Sequence, residues 1–194
     1  MKTLLGFSRL IDAINERVGR AVYWLILVAA IISALNAVSR KAFDLSSNAF
    51  LEIQWYLFAA VFLLASGYTL LKDEHVRVDV IASRFSPRGQ VWIDIIGTLF
   101  FLLPFAVLMT YLGWPYFVLS FSGQEWSANP GGLIIWPVKL LIPVGFLLLL
   151  LQGVARLIKL IGALQGSVDI KEVLTKHTGV DDQIETMLGP DKKD

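Results

Sequence analysis

The chain has 194 residues, 56% of them hydrophobic, and its 17 Lys and Arg side chains nearly balance 16 Asp and Glu. A net charge of +1 gives no reason to expect nucleic-acid binding, and the lack of cysteine excludes disulfides, thiol catalysis and cysteine-ligated metal centres. The two histidines, His75 and His177, lie outside the apolar runs, which excludes bis-histidine haem ligation in a bilayer. The mean hydropathy of +0.65 instead indicates long membrane-buried segments.

The first 20 residues have an amphipathic pattern. Leu4, Phe7, Ile11, Ile14 and Val18 recur at helical spacing, and charged residues occupy the other side of the same helix. We therefore predict that residues 1–20 form an amphipathic interfacial helix, which lies on the membrane surface before the first span.

Four apolar segments follow, each long enough to cross a bilayer, which takes roughly 20 residues. The predicted spans cover residues 21–38, 49–71, 91–112 and 133–155, within a four-helix membrane domain at 21–162. Cleavage of the first span as a signal peptide is not expected, because it lacks a clear cleavage site and three spans come after it. The sequence thus predicts an all-α integral membrane protein with four transmembrane helices, followed by a polar cytoplasmic tail at 163–194.

The distribution of Lys and Arg predicts the orientation of these spans. Fourteen of these residues lie in the N-terminal segment, the loop between spans two and three, and the C-terminal tail. The opposite side receives only Arg40 and Lys41. Both ends of the chain are therefore predicted to be cytoplasmic, and residues 113–132 to form a periplasmic loop.

Two local signals predict where helices begin. Ser86 followed by Pro87 is typical of an N-cap and a first-turn proline before span three. The run Asn129-Pro130-Gly131-Gly132 predicts a turn that starts span four.

Ionisable residues inside membrane spans are candidates for function. Glu52, one turn inside the periplasmic end of span two, is interpreted either as an ion ligand or partner of a buried cation, or as an interfacial side chain. Lys139 lies at a similar depth, where it either extends its ammonium group to the interface or pairs with Glu52. Asp94, near the cytoplasmic boundary, is expected to stabilise the N-terminus of its helix.

Nothing in the sequence assembles into a catalytic set, so no enzyme activity and no cofactor are expected. His75 and Asp79 lie four residues apart, but a single pair of this kind is a weak metal signal, and a structural hydrogen-bonded pair is favoured. Nucleotide-binding glycine loops are also missing from the sequence. The spans contain few polar groups, which favours an accessory subunit over an independent carrier.

Several residues around span two carry a resemblance to a known family. Asn36 and Arg40 close span one, Glu52 and Gly67 lie in span two, and the segment His75-Val76-Arg77-Val78-Asp79 follows. This order, together with the length and the four-span topology, resembles the small membrane subunit (DctQ-like) of tripartite ATP-independent periplasmic (TRAP) transporters. The resemblance extends over about residues 10–162, and its HVRVD segment is the most specific part.

The resemblance implies a non-catalytic scaffold subunit of a secondary transporter in the bacterial inner membrane. Such a system imports an organic acid anion, with a sodium gradient and without ATP. The implied partners are a large membrane subunit (DctM-like), a periplasmic solute-binding protein and the lipid bilayer. Carried over by position, Asn36, Arg40, Glu52, His75, Arg77 and Asp79 are expected to have structural or interface roles.

A second hypothesis from another class stays open at this point. Four helices could form a self-sufficient channel or carrier by homo-oligomerisation. That function would require Glu52 or Lys139 to face a water-filled lumen.

Overall fold

A computed structural model describes residues 2–44, 47–72 and 85–170 of the chain. These parts form five α-helices: α1 (Lys2–Phe43), α2 (Asn48–Lys72), α3 (Pro87–Gly97), α4 (Leu103–Ser122) and α5 (Trp136–Leu164). A π-helical segment, Thr98–Leu102, joins α3 to α4, so that Pro87–Ser122 is continuously helical. Four helical segments are long and apolar enough to cross a membrane, which confirms the predicted all-α fold with four potential spans.

Helix α1 merges two predicted elements into one. It runs for 42 residues without a break, which corresponds to a length of about 63 Å. That length exceeds the roughly 30 Å hydrocarbon thickness of a bilayer. The expected boundary between an N-terminal helix and the first span is therefore not seen, since no proline or turn interrupts the chain between them.

One buried seam explains how this long helix packs. Its positions alternate steps of three and four residues, which is the spacing of a coiled-coil seam. All of them are buried or half-buried: Ser8, Ile11, Asn15, Val18, Val22, Leu25, Ala29, Ile32, Asn36 and Ser39. This seam packs on α2 along the length of α2. Near the N-terminal end of α1 it also packs on α5.

Helix α2 packs between α1 and α5. The α2 and α5 backbones approach closely at Gly145, where an added Cβ would lie 2.7 Å from the carbonyl oxygen of Leu63. Helix α4 packs chiefly on α5, at the other margin from α1. This open arrangement leaves large apolar side chains exposed, including Phe62 at 78%, Tyr111 at 75% and Leu119 at 74%.

The predicted boundaries hold best for the second span, at Asn48–Lys72. The third span is longer than predicted, because α4 continues through Pro115 to Ser122. Pro115 is exposed on this helix, and its missing N–H removes one backbone hydrogen bond without ending the helix. The predicted loop at 113–132 is thus reduced to residues 123–135, and the fourth span runs from Trp136 to Leu164 rather than over 133–155.

The local start signal of span three is confirmed. The Ser86 hydroxyl accepts a hydrogen bond from the backbone N–H of Gly89 at 3.4 Å, and Pro87 is the first helical residue. Proline fits this position because its missing N–H has no partner in the first turn of a helix.

Candidate functional site

The loop between α4 and α5 is a short hairpin. The backbone N–H of Ser127 donates to Leu133 O at 2.9 Å, and that of Ile135 donates to Glu125 O at 2.9 Å. At the tip, the Gly132 N–H donates to Asn129 O at 3.0 Å, and Gly131 has a φ of 69°. Proline followed by glycine at positive φ is the pattern of a type II turn, so the predicted turn at 129–132 is confirmed.

Three side chains on one face of α2 hold this hairpin. They lie four residues apart, at Asn48, Glu52 and Tyr56, so they follow one another along the helix surface. The Asn48 amide donates to Pro130 O at 2.9 Å, and the Tyr56 hydroxyl donates to Ile134 O at 3.0 Å. The first two turns of α2 therefore act as a surface on which the hairpin is fixed.

Glu52 makes the densest set of these contacts, and it is 7% exposed. Its Oε1 accepts from the Ser127 hydroxyl and from the Asn129 amide, the latter at 2.9 Å. Its Oε2 accepts from the backbone N–H of Leu133 at 2.6 Å. Gly132 makes this approach feasible, because a Cβ there would lie 2.8 Å from Oε1.

Lys139 contacts the hairpin from the other side. Its ammonium group pairs with Glu125, and it lies 4.2 Å from the centre of the Tyr116 ring. The hydrogen bond that the Lys139 ammonium donates to Glu125 holds the carboxyl pKa of Glu125 below its usual value. The alternative in which Lys139 pairs with Glu52 is not seen, because Lys139 pairs with Glu125 and Glu52 binds Ser127, Asn129 and the Leu133 N–H. We call Asn48, Glu52, Tyr56, Glu125 and Lys139, with the hairpin, the loop cluster.

A second polar group lies at the opposite end of α5, where α1 crosses it. The Asn15 amide donates to Gln152 Oε1 at 2.9 Å, and Gln152 Nε2 donates to Asp12 at 2.9 Å. The Lys159 ammonium also pairs with Asp12, and the Ser8 hydroxyl donates to Ala155 O at 3.2 Å. Asn15 is fully buried against Gly67, where an added Cβ would lie 2.2 Å from Asn15 Oδ1.

An ion pair extends this group to α3. Arg156 Nη2 lies 3.1 Å from Asp94 Oδ2, and the two side chains are 12% and 15% exposed, respectively. The expectation that Asp94 serves the N-terminus of its own helix is therefore not what the structure shows: its carboxylate links α3 to α5. We call Asp12, Asn15, Asp94, Gln152, Arg156 and Lys159 the junction cluster.

The other predicted residues fall apart from both clusters. Asn36 lies in the α1 seam, and its Oδ1 is buried without a hydrogen-bond partner among the described residues. Arg40 is exposed near the C-terminal end of α1. His75, Arg77 and Asp79 lie outside the described residues, so their proposed roles stay predictions.

Sequence reasoning missed most of the polar contacts. Asn15 could have been found from its place in the three-four seam of α1, where a buried polar residue needs a partner. Gln152, Arg156 and Lys159 lie on neighbouring turns of α5, which is an unusual polar stretch in a membrane helix. The four-residue spacing of Asn48, Glu52 and Tyr56 was also a readable signal.

Chemically, both clusters hold segments of the chain together. Glu52 accepts three hydrogen bonds, so the hairpin uses three of the roughly four acceptor sites of its carboxylate. In the described part of the chain, no three His, Cys, Asp or Glu side chains come together as potential metal ligands. In the structure, Glu52, Asp94 and Lys139 each contact another part of the same chain.

Four long apolar helices joined by such contacts define a multi-pass membrane protein. Residues 29–163 match the family described as tripartite ATP-independent periplasmic transporters, DctQ component. The match covers more than half of the chain, which therefore belongs to the DctQ family, the small membrane component of TRAP transporters. Comparison with curated proteins and with solved structures finds no significant match.

Proposed function

We propose that this chain is the non-catalytic scaffold subunit of a sodium-coupled TRAP transporter. In this proposal it works with a large DctM-like permease subunit and a periplasmic solute-binding protein, and the complex imports an organic acid anion. Its place is the bacterial inner membrane. The family match supports the transporter class, and the packing of the four spans supports the scaffold role.

The observation that carries the scaffold role is the open packing of the helices. Helix α4 packs chiefly on α5, and α1 packs at the opposite margin, so broad apolar helix faces are left uncovered. In a membrane such faces contact either lipid or the helices of another subunit. A row of helices with uncovered apolar faces can pack against the membrane domain of a larger subunit and so extend that domain.

The polar side chains within the spans support the same role. Ser66 donates to Leu63 O, Thr69 to Ala65 O and Thr110 to Ala106 O, so each hydroxyl binds the backbone of its own helix. A solute path would need polar groups that converge on one cavity. The scaffold role is favoured over the homo-oligomeric channel, because the hairpin engages both Glu52 and Lys139.

The predicted orientation places the loop cluster on the periplasmic side. There the hairpin presents Trp126, which is 65% exposed. Exposed tryptophan side chains are frequent anchors of protein interfaces. The hairpin is therefore our proposed contact for the solute-binding protein, and Trp126→Ser should weaken binding of that protein to the membrane complex. Trp92→Ser, at the opposite end of the molecule, is the matched control.

The decisive test is transport in proteoliposomes under an inward sodium gradient. We expect substrate uptake only when this chain, the large subunit and the binding protein are all present. Removal of the sodium gradient should abolish uptake, and addition of ATP should not restore it. Uptake by this chain alone would overturn the scaffold role, and uptake without the chain would show that it is dispensable.

A further inference from the structure

Helix α1 has a second stripe, exposed, beside its buried seam. Phe7, Leu10 and Ile14 are 46%, 58% and 39% exposed. With 3.6 residues per turn, these three side chains fall within an arc of roughly 60°. Arg17 borders this arc, and Arg9 lies further around the same exposed side; both arginines are exposed. The stripe thus combines apolar and cationic side chains on a surface that no described part of the chain covers.

The two described acids of α1 at this end, Asp12 and Glu16, are directed elsewhere. Asp12 pairs with Lys159, and Glu16 lies 3.6 Å from Lys72 and 4.0 Å from Arg20. By contrast, neither Arg9 nor Arg17 forms an ion pair with a described residue. Asp12 and Glu16 are therefore matched by the protein's own cations, and among the described residues no acid pairs with the two guanidinium groups.

Contacts with α5 place this stripe at the edge of the membrane. Ser8 binds Ala155 and Asp12 binds Lys159, which lie about 29 and 35 Å along α5 from its first residue, Trp136. Because the hydrocarbon core is about 30 Å thick, these positions correspond to the boundary between acyl chains and headgroups. The pairing also fixes which side of α1 points away from the protein.

We propose that this stripe is a binding surface for anionic phospholipid. Phe7, Leu10 and Ile14 enter the acyl region, and Arg9 and Arg17 bind phosphate headgroups of the adjacent leaflet. Guanidinium groups suit this role because they form paired hydrogen bonds with phosphate oxygens. The inference depends on the proposed function only for the placement of the chain in a bilayer, and it requires no contact with another subunit.

The test uses the full chain in nanodiscs of phosphatidylcholine, with or without phosphatidylglycerol, and measures hydrogen exchange of the amides of residues 3–18. We expect phosphatidylglycerol to slow this exchange by about tenfold, from the attraction of two arginines to an anionic surface. The double variant R9Q/R17Q should lose that difference. R40Q/K41Q, which removes the same charge from the other end of α1, should keep it, and high salt should reduce it.

Equal exchange rates in the two lipids, or an R9Q/R17Q variant that keeps the lipid difference, would overturn the proposal. If only the large subunit slows exchange, equally in both lipids, the stripe is a protein interface and not a lipid surface. Copurification of R9Q/R17Q with the large subunit separates the two hypotheses, because the lipid surface can be lost while the subunit complex remains. A failure of sodium-driven uptake would bear on the scaffold role alone.

Discussion

The loop cluster and the junction cluster have different structural roles at the two ends of the same helices. In the loop cluster, side chains of α2 and α5 bind a hairpin that has few backbone hydrogen bonds of its own. In the junction cluster, side chains bind mainly one another across helices whose backbones are already satisfied. The first set of contacts therefore orders a loop, and the second sets how α1, α3 and α5 are aligned.

This difference teaches where each cluster is expected to matter. Glu52 accepts hydrogen bonds from a backbone N–H and from short side chains of one loop. Its removal should therefore disturb that loop and leave the rest of the protein as it was. A buried amide between helices, as Asn15 is, leaves an unsatisfied group in the core when its partner is removed. The two ends should thus respond differently to substitution.

The largest expected effect concerns the packing of α2 on α5, between the loop cluster and the junction cluster. Gly145→Ala should destabilise the whole protein by about 1–3 kcal/mol, because the new Cβ meets the backbone of Leu63 and forces α2 and α5 apart. Thermal unfolding in detergent, followed by tryptophan fluorescence, measures this change. Gly97→Ala is the control, since nothing lies within 4 Å of its Cβ position, and it should be neutral or stabilising by up to about 1 kcal/mol. Equal effects of the two substitutions would contradict the close approach of the α2 and α5 backbones at Gly145.

The next effect tests the junction cluster alone. Asn15→Ala should cost about 1–3 kcal/mol, because Gln152 Oε1 loses the buried amide that donates to it. A double-mutant cycle of Asn15→Ala with Gln152→Ala should give a coupling energy of about 0.6–1.7 kcal/mol. Gln165→Ala, at an exposed position, should change stability by less than about 0.5 kcal/mol. Zero coupling would show that the amides do not act as a pair.

The loop cluster should respond locally. Glu52→Ala removes the acceptor for Ser127, Asn129 and the Leu133 N–H. Hydrogen exchange at residues 127–133 should accelerate strongly, whereas exchange in the middle of α5 should stay as it was. Glu16→Ala, which removes a half-buried carboxylate from the other end of the molecule, should leave the hairpin unaffected. Cooperative loss of helix in the Glu52 variant would erase the contrast drawn between the two clusters.

The smallest effect at neutral pH concerns Glu125. Its contact with Lys139 lowers the carboxyl pKa in the folded state below the ordinary value of 4.5. The contact therefore stabilises the hairpin fully above pH 4.5, and the stabilisation is lost as the pH falls through the lowered pKa. Lower protection factors of the hairpin amides in acid, referred to the intrinsic exchange rate at each pH, should report this loss. Glu125→Gln should remove that part of the acid response, and an unchanged pH profile in the variant would contradict the assignment.

Much of the fold could be predicted because its signals are local. The apolar runs, the Ser86-Pro87 helix start and the turn at 129–132 each lie within a few consecutive residues. The end of the third span was misplaced: residues 113–132 were predicted as a loop, but α4 continues through Pro115 to Ser122, and proline is tolerated within membrane helices. The amphipathic pattern of residues 1–20 gave helix correctly, but not its continuity with the first span.

The candidate site could be predicted less well. Glu52 and Lys139 were identifiable as charges inside apolar segments, but their partners were not. Glu52 binds Ser127, which is 75 residues away in sequence, and Asn15 binds Gln152, which is 137 residues away. Such pairs depend on which helix faces meet, and hydropathy carries no information on that choice.

The sequence by itself determined the membrane class, the number of spans and the family, because the length and apolarity of a span and the order of a motif are properties of contiguous residues. Only the tertiary structure decided that Glu52 fixes a hairpin, that Lys139 pairs with Glu125, and that α1 and α5 are joined through Asn15 and Gln152. Most buried polar groups find partners where the packed helices bring them together. That geometry arises from the approach of α2 and α5 at Gly145 and from the single seam of α1, and both exist only in the folded chain.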